Sequence, residues 1–296
     1  MPPPPARPFA LVGGALLAVA AAVLLAACGT TRNSDVDGFA LTVTRDFGGT
    51  RVAELKRQPL PAPSALAAVL DSYGQPRTRE SLFVNGIAAD KAPAKLDLHG
   101  NDRVWLDQHD TAVPARIPAV IGSFPEPFLN GVDGKRLPVR VECDEPRSGP
   151  CAAVADKLVS LGAVAGRSVL GRSAADDSLR VLVAPWSRLR GRELEADSID
   201  AGPRSSGVFA RFEDGGRRLV VLDPAGRPAR ALGAGAGFIA TTTEPERRPL
   251  WFVTGTDDAG VAAAARAFDE SVLADRFALA ISRDLPVAVP LPSAPR

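Results

Sequence analysis

Three side chains with binding chemistry occupy every second position of one predicted strand. Trp105, Asp107 and His109 share one side of that strand, because side chains alternate along an extended backbone. If the aliphatic residues between them face the core, an aromatic ring, a carboxylate and an imidazole line the exposed face. Such a row can stack on a small ligand and hydrogen-bond to it. The alternative is that the Pro-rich segment 114–127 covers Trp105 while Asp107 and His109 lie in solvent.

The same stretch holds both histidines of the chain among several carboxylates, which is the composition of some metal sites. The spacing argues against metal binding, because it contains no H-x-x-H, H-E-x-x-H or calcium-loop pattern. Acidic turns of this kind are usually solvated, and no metal site is predicted. The residues concerned are Asp97, His99, Asp102, Asp107, His109 and Asp110.

Sequence signatures of catalysis and of cofactor binding are weak throughout the chain. No G-x-S-x-G nucleophile motif occurs, and neither histidine lies near a recognisable nucleophile. The glycine-rich stretch 233–237 lacks the third glycine of a dinucleotide fingerprint, and 254–256 lacks the lysine of a P-loop. We predict no catalytic residue and no cofactor, and an enzyme is the less favoured class. Paired glycosidase carboxylates stay open, since that pairing is spatial.

One loop in the C-terminal half has a position that favours ligand binding. Thr256 and Asp257 follow a predicted strand and precede a predicted helix. Ligands of open α/β sheets commonly bind at the carboxyl ends of strands and at helix N-termini. Both residues are therefore candidate ligand-binding residues, and a plain turn is the alternative.

The N-terminal segment has the layout of an export signal. A short start with Arg7 as its one charged residue leads into an apolar run from Phe9 to Ala27, which ends in small residues before Cys28. An uncleaved transmembrane anchor is the alternative, because about 20 apolar residues can cross a bilayer. The Ala- and Gly-rich composition and the lack of a basic stop-transfer cluster favour a cleaved signal.

The end of this segment, Leu25-Ala26-Ala27-Cys28, resembles the lipobox of bacterial lipoproteins. The resemblance implies that residues 1–27 are removed and that the thiol of Cys28 is diacylated. Residues 28–35 then form a polar tether. We expect a lipid-anchored protein on the extracytoplasmic face of the cell membrane, and the transmembrane alternative places the rest of the chain on the same side.

Cysteine usage fits such a compartment. Once Cys28 is acylated, the three cysteines leave one pair, Cys143 and Cys151. The turn-rich segment between them can bring both within disulfide reach, and disulfides persist outside the cytosol. Two free or metal-binding thiols are the alternative, although the chain has no C-x-x-C motif and no histidine near the pair.

The charge balance excludes one class of partner. The chain has 35 basic and 34 acidic residues and a formal net charge of +1 at pH 7. Binding to nucleic acid needs a concentrated basic surface, which this balanced composition does not provide. We expect no nucleic-acid partner, and we expect contact with the membrane through the lipid anchor.

The order of predicted elements places the Trp105 row in a first domain, residues 36–143. A helix that lies across a small mixed sheet in this order is the β-grasp arrangement. The elements are strands at 39–45 and 51–55, a helix at 65–74, and strands at 82–87 and 96–107, with a last strand at 137–142.

This domain resembles the transcobalamin C-terminal-like, SLBB-type β-grasp domains of bacterial surface proteins. The matching segments are the helix at 65–72, Phe83-Val84-Asn85-Gly86, and the run from Leu98 to Trp105. The Pro-rich insertion 112–135 departs from the family pattern, and we interpret its apolar part as a packing arm, with a lid over a pocket as the alternative. The resemblance implies binding of corrinoids or other small molecules, and it adds Asn85 to the candidate ligand-binding residues.

The rest of the chain predicts a mixed α/β domain at 144–285, followed by a flexible tail at 286–296. Its elements are a helix at 152–161, a buried strand at 179–186, a short helix at 187–195, a β-meander from residue 207, and strand, helix and strand at 249–281. The predicted fold class is α+β: an N-terminal β-grasp-like domain followed by a mixed α/β domain with an open sheet and a β-meander.

Two functions from different classes fit these features. The favoured one is a lipid-anchored extracytoplasmic binding protein that captures a small ligand for an envelope transporter. The alternative is an envelope scaffold or assembly lipoprotein that acts through protein–protein contacts. A cleft where the Trp105 row meets Trp186 or the loop 254–258 favours the first function, whereas a flat apolar patch favours the second.

Overall fold

The computed structural model describes residues 1, 38–59, 67–68, 70–71, 82–113, 115–171, 177–244 and 247–291. The predicted signal segment, Cys28 and the tether lie outside the described residues, as does most of the helix predicted at 65–74. Four positions of that helix are described, and they have helical backbone: Ala67, Ala68, Leu70 and Asp71. None of the described helices is long and apolar enough to span a membrane.

The described elements form a mixed α/β fold with three open sheets of five, seven and three strands. The strands are β1 Gly38–Arg45, β2 Thr50–Pro59, β3 Leu82–Val84, β4 Ile87–Ala88, β5 Arg103–Gln108, β6 Val139–Cys143, β7 Ala165–Val169, β8 Leu179–Pro185, β9 Ala210–Glu213, β10 Arg218–Leu222, β11 Pro228–Leu232, β12 Gly237–Thr242, β13 Leu250–Gly255, β14 Ala278–Ser282 and β15 Leu285–Val289. The helices are α1 Gly149–Ser160, α2 Trp186–Leu189, α3 Leu194–Asp200, α4 Pro203–Ser206, α5 Asp258–Arg266 and α6 Glu270–Leu273.

The five-stranded sheet has the order β2-β1-β5-β3-β4, with β1 and β5 parallel in its centre. Alternate apolar residues of these two strands, such as Leu41, Val43, Val104 and Leu106, build a core on one face. Asn85 and Gly86 connect β3 to β4 with φ angles of 51° and 78°, which is the turn that Asn-Gly favours between antiparallel strands.

The seven-stranded sheet has the order β15-β14-β12-β13-β8-β6-β7. Its β13, β8, β6 and β7 run parallel, whereas β12, β14 and β15 are antiparallel to their neighbours. Helices α1 and α5 pack on one face together with Phe124 and Phe128 of the Pro-rich insertion. The other face packs against α2, α3, the three-stranded β11-β10-β9 sheet, and Phe83 and Trp105 of the five-stranded sheet.

Most predicted elements of the C-terminal half are confirmed. The meander forms β9 to β11, the buried strand is β8, and the strand, helix and strand at 249–281 are β13, α5 and β14. The helix predicted at 187–195 is instead divided between α2 and α3. The strand β12, which the sequence did not predict, lies between β13 and β14, and all six of its residues are buried.

Two predictions at the ends of the predicted domains are wrong. The last strand predicted for the first domain is β6, and it pairs with β7 and β8 in the larger sheet because Val139 and Val141 belong to that sheet's core.

The predicted tail begins inside β15, where Val289 is buried, and Leu291 donates its N–H to Leu222. Pro286 is tolerated there because β15 is an edge strand. Residues Val36–Arg296 form one compact unit, and the domain boundary after residue 143 stays a prediction.

Candidate functional site

The Trp105 row has the predicted alternation, but its face is buried. Val104 and Leu106 lie in the core of the five-stranded sheet, as expected. On the opposite face Trp105 is 2% exposed and Asp107 is 0% exposed, and the side chain of His109 is 5% exposed. The row is therefore not an exposed binding face, and Asp107 and His109 do not lie in solvent. A role of these residues in ligand binding stays a prediction.

Asp107 ties the β1–β2 turn to β5. Its carboxylate accepts the backbone N–H groups of Phe47 at 3.1 Å and Gly48 at 2.8 Å, and it accepts the hydroxyl of Thr44. His109 Nδ1 lies 2.7 Å from Oδ1 of the same carboxylate. The buried charge is thus surrounded by hydrogen-bonding groups, as burial of a charge requires.

Trp105 is enclosed by the loop at residue 122 and by the segment before β14. Its Nε1–H donates to the Thr44 hydroxyl at 2.8 Å, and its ring centroid lies 5.1 Å from that of Phe277. A Cβ at Gly122 would lie 2.5 Å from the indole ring, so only glycine allows the loop to approach this closely. The Pro-rich insertion therefore packs on Trp105, which is the contact that a packing arm would make.

His109 closes the row beside two phenylalanines. Its ring centroid lies 4.1 Å from that of Phe47 and 5.2 Å from that of Phe277. Within the described part of the chain its Nε2 atom has no hydrogen-bond partner, whereas Nδ1 faces Asp107. The imidazole thus links the β1–β2 turn to the segment that enters β14.

The side chain of Asn85 is buried and hydrogen-bonded to neighbouring elements of the fold. It is 2% exposed, and its amide donates to Asp102 at 2.7 Å and to the carbonyl of Gly131 at 3.2 Å. Its side-chain oxygen accepts the N–H of Arg103 at 2.9 Å. Asn85 therefore joins the β3–β4 turn to β5 and to the Pro-rich insertion, and its hydrogen-bonding groups are occupied by these contacts.

Thr256 and Asp257 hold the glycine-rich turn against the start of α5. Asp257 is the N-cap residue, and its carboxylate accepts the N–H of Gly260 and of Gly235, each at 2.8 Å. The Thr256 hydroxyl donates to the carbonyl of Gly233 at 2.9 Å. Asp257 thus caps α5, and this turn already satisfies the groups that a ligand would contact.

The predicted ligand-binding residues do not converge. Trp186 stacks on Phe212 at 4.3 Å, and its Nε1–H donates to Asp200, whose pKa is raised by burial. In the described residues no hydrogen bond or ring contact joins the Trp105 row to Trp186 or to the loop 254–258. A narrow apolar crevice beside Phe277 has no room for a water molecule. The candidate residues thus form separate hydrogen-bonded groups, although Trp105 and Trp186 belong to the same apolar core.

No protein-family model matches this chain. No curated protein and no solved structure matches it either. Its residues and their surroundings alone therefore carry the functional interpretation.

The predicted disulfide between Cys143 and Cys151 is confirmed. The two Cα atoms are 6.1 Å apart, and both residues are fully buried. The bond ties the end of β6 to the first turn of α1. Among the residues that the structure describes, no group of three or more His, Cys, Asp and Glu side chains is placed to hold a metal ion.

Sequence reasoning missed a buried charge cluster on the larger sheet. Arg180 makes paired hydrogen bonds of 2.8 and 2.9 Å to Glu142, which is 0% exposed, and it also bonds to Glu193. These bonds raise the pKa of the Arg180 guanidinium above its ordinary value. The sequence contained a signal for this cluster, because Glu142 and Arg180 are charged residues inside two otherwise apolar strands. Because the charged groups of this cluster pair with one another, we assign the cluster a structural role.

A second missed carboxyl lies in the Pro-rich insertion. Glu126 is 2% exposed, and burial raises the pKa of its carboxyl group. It accepts the N–H of Asn130 at 2.9 Å and the amide of the same residue at 2.5 Å. Nearby, Arg103 donates to the carbonyl of Phe124 and to Glu270, so it joins β5 to the insertion and to α6. These contacts add to the interpretation of the insertion as a packing arm.

The outer edge of β7 is open in the described part of the chain. β7 is the last strand of its sheet and pairs with β6 on its inner side. The carbonyl of Val164 accepts the N–H of Val139, and Leu170 donates its N–H to the carbonyl of Cys143, so residues 164 and 170 face β6. Because the backbone groups of successive residues point to opposite sides, Ala165, Arg167 and Val169 direct their N–H and C=O groups outward. None of the described strands pairs with them.

Three exposed valines surround this edge. Val164 precedes the strand and is 67% exposed, Val169 is its last residue and is 48% exposed, and Val159 on α1 is 54% exposed. Lys157 of α1 bonds to Asp269 at 2.7 Å, on the side of α1 where α6 lies. Residues two positions apart on an α-helix are about 200° apart, so Val159 lies on the other flank, above the outer edge.

Three other edge strands of the described chain carry features that discourage pairing. β15 contains Pro286, β11 begins at Pro228 and has a register shift, and β4 has two residues. Proline lacks the N–H that a ladder needs, and short or irregular edges pair poorly. The outer edge of β7 has no proline and no register shift.

Proposed function

We propose that this chain is a lipid-anchored protein of the extracytoplasmic membrane face that acts through protein–protein contacts at the outer edge of β7. The observation that carries the proposal is the outer edge of β7, where Ala165, Arg167 and Val169 direct backbone groups outward and no strand of the described chain pairs with them. Unpaired edges of this kind recruit a strand from a partner. The predicted ligand-binding residues, in contrast, are bonded within the fold.

The cellular location in this proposal rests on the N-terminal sequence and the disulfide. Leu25-Ala26-Ala27-Cys28 resembles a lipobox, and two acyl chains suffice for stable membrane anchoring. The bond between Cys143 and Cys151 suits an oxidising compartment. The tether at 28–35 would place the folded part close to the membrane, where its partners would be envelope proteins.

Capture of a small ligand is the second candidate function. The order β2-β1-β5-β3-β4, with a central parallel pair, supports our proposal that the five-stranded sheet is a β-grasp domain of the type that the sequence resembles. Some domains of that type bind corrinoids or other small molecules. A thermal-shift screen of the full chain with corrinoids, sugars and peptides tests this candidate, and a lack of stabilisation by all of them would count against it.

Site-specific crosslinking in intact cells tests the proposed contact surface. A photoreactive amino acid replaces Val169 beside the open edge, and the matched control carries it at Leu285, which is 67% exposed on β15. We expect discrete crosslinked species from position 169 and none from position 285, measured by the mobility of the tagged chain on denaturing gels. Equal crosslinking at both positions, or none at position 169, would contradict the proposal.

The lipid anchor needs its own control in the same cells. Cys28→Ala should leave the chain unprocessed or release it from the membrane fraction, because the acylated thiol would be missing. If the variant stays in the membrane at the same level and with the same mass as the parent chain, the N-terminal segment is a transmembrane anchor instead.

A further inference from the structure

We propose that the occupant of the β7 edge is an extended, acidic segment of another protein, which adds to the seven-stranded sheet as a further strand. This inference rests on the proposed function, because it assumes that the β7 edge is a contact surface. It goes further by stating the backbone conformation and the charge of the partner.

The backbone of β7 determines the conformation of the partner. The outward N–H and C=O groups of Ala165, Arg167 and Val169 repeat at every second residue, which is the spacing that another β-strand matches. A helix or a compact loop satisfies its own backbone groups and cannot bond to all of them. Gly166 carries no side chain, and the space around its Cα is open. An incoming strand therefore meets little steric hindrance along the edge.

The charges around β7 determine the chemistry of the partner. Arg136, Arg147 and Arg167 are exposed, and none of them forms an ion pair with a carboxylate in the described part of the chain. Arg136 donates to the carbonyl of Gly162 just before the strand, and Arg167 donates to the carbonyl of Pro146 at 3.4 Å, beside Arg147. Basic groups thus lie at the start and at the middle of the edge.

Nearby acidic groups do not neutralise this set. Asp144 forms its ion pair with Arg188 at 3.2 Å, and Glu145, whose carboxylate accepts the backbone N–H of Arg147 at 3.0 Å, offsets at most one of the three guanidinium groups. Carboxylates on an incoming strand would therefore find unpaired guanidinium groups, and an opposite-charge pair across neighbouring strands is favourable.

The same charges argue against a second copy of this chain as the occupant. A two-fold antiparallel pairing centred on Arg167 would place two Arg167 side chains opposite each other, and like charges directly across a sheet are destabilising. An acidic partner removes this repulsion and replaces it with attraction.

Two model peptides and the full chain in detergent test the inference. One heptapeptide alternates valine with glutamate, and its matched control alternates valine with lysine. Hydrogen exchange is measured for the backbone amides of β7 with each peptide. The acidic peptide should slow exchange at Ala165, Arg167 and Val169 and leave Gly166 and Ser168 unchanged, because the latter two amides face β6.

Two variants of β7 separate charge from backbone pairing. Arg167→Glu should weaken binding of the acidic peptide by at least about fivefold and improve binding of the basic one, since it replaces an attraction with a repulsion. Val169→Pro should abolish protection by the acidic peptide, because it removes an outward N–H without breaking a bond to β6. Circular dichroism and the intact disulfide would show that each variant is folded.

Several outcomes would overturn the inference. Equal binding of both peptides, unchanged binding by Arg167→Glu, or protection of Gly166 in place of Arg167 would each contradict it. Protection that appears without peptide and rises with protein concentration would identify a second copy as the occupant. Crosslinking at position 169 without any preference for the acidic peptide would leave the proposed function standing and reject only the partner's chemistry.

Discussion

The strands β2 and β7 are both edge strands, but they are built in opposite ways. β2 has ten residues and two register irregularities against β1. Its Arg51 forms ion pairs with Glu54 at 3.0 Å and with Asp275 at 2.5 Å, and Lys56 pairs with Glu54. Paired charges and irregular register are devices by which proteins prevent an edge from recruiting other strands.

The edge of β7 has neither device. It has five residues in regular register with β6, and its one charged side chain, Arg167, has no ionic partner among the described residues. The length of an edge strand therefore does not decide whether it is available to pair with a strand of another protein. The longer edge strand, β2, carries paired charges and an irregular register, whereas the shorter one, β7, has neither among the described residues.

The largest expected effect concerns the turn that holds β2. Asp107→Ala should lower the free energy of unfolding by about 3 kcal/mol or more, because it leaves the N–H groups of Phe47 and Gly48 and the Thr44 hydroxyl without their acceptor. Chemical denaturation measures the loss. Asp107→Asn is the matched control, since it keeps the size and one acceptor, and its loss should be smaller. Equal stability of Asp107→Ala and the parent chain would contradict the assigned role of the carboxylate.

The second effect tests which backbone groups of β7 point outward. Ser168→Pro should cost about 3 kcal/mol, because its N–H faces β6 and the proline ring removes that bond. Val169→Pro should cost no more than about 1 kcal/mol, since an outward edge position tolerates proline. Thermal and chemical unfolding of the two variants are compared side by side. A larger loss for Val169→Pro would reverse the assignment of the edge.

The smallest effect concerns the ion pair between Lys157 of α1 and Asp269 at the start of α6. Bonds from Lys157 and Ser271 lower the pKa of Asp269 to about 2 from its ordinary 3.8. As the pH falls, Asp269 therefore takes up a proton at a higher pH in the unfolded chain than in the folded one. The stabilisation is complete above about pH 4 and is lost as the pH drops toward about 2.

Lys157→Met should raise the pKa of Asp269 toward its ordinary value. At neutral pH it should change the free energy of unfolding by less than about 1 kcal/mol, because both side chains are partly exposed. A titration of the Asp269 carboxyl by NMR measures the shift. An unchanged pKa would mean that Ser271 and the helix start, not Lys157, set its value.

Local patterns in the sequence predicted much of the fold. Alternation placed Val104 and Leu106 in a core, the meander was predicted from residue 207, and Thr256 and Asp257 were placed between a strand and a helix. The disulfide followed from the cysteine count. Each of these features depends on residues close together in the chain, which is the information that periodicity and turn composition contain.

Long-range packing limited the prediction of the site. Nothing near Trp105 in sequence shows that Phe277 and the loop at Gly122 cover it. The strand β12 was missed because small and polar residues, such as Gly237 and Thr242, are typical of a loop. In the structure all six residues of β12 are buried, and the strand pairs with β13 and β14. The open edge of β7 depends on which strand lies beside which, and sequence order alone does not contain that information.

The order of strands in the larger sheet also bears on how the chain folds during synthesis. β6, β7 and β8 emerge first and can form a parallel half-sheet, but β13, the partner of β8, follows about 65 residues later at a distance that makes pairing slow. Until then the half-sheet exposes two edges, β8 and β7. The arrival of β13 covers β8 permanently, and a segment that binds the growing chain at β7 meets the same edge before and after folding is complete.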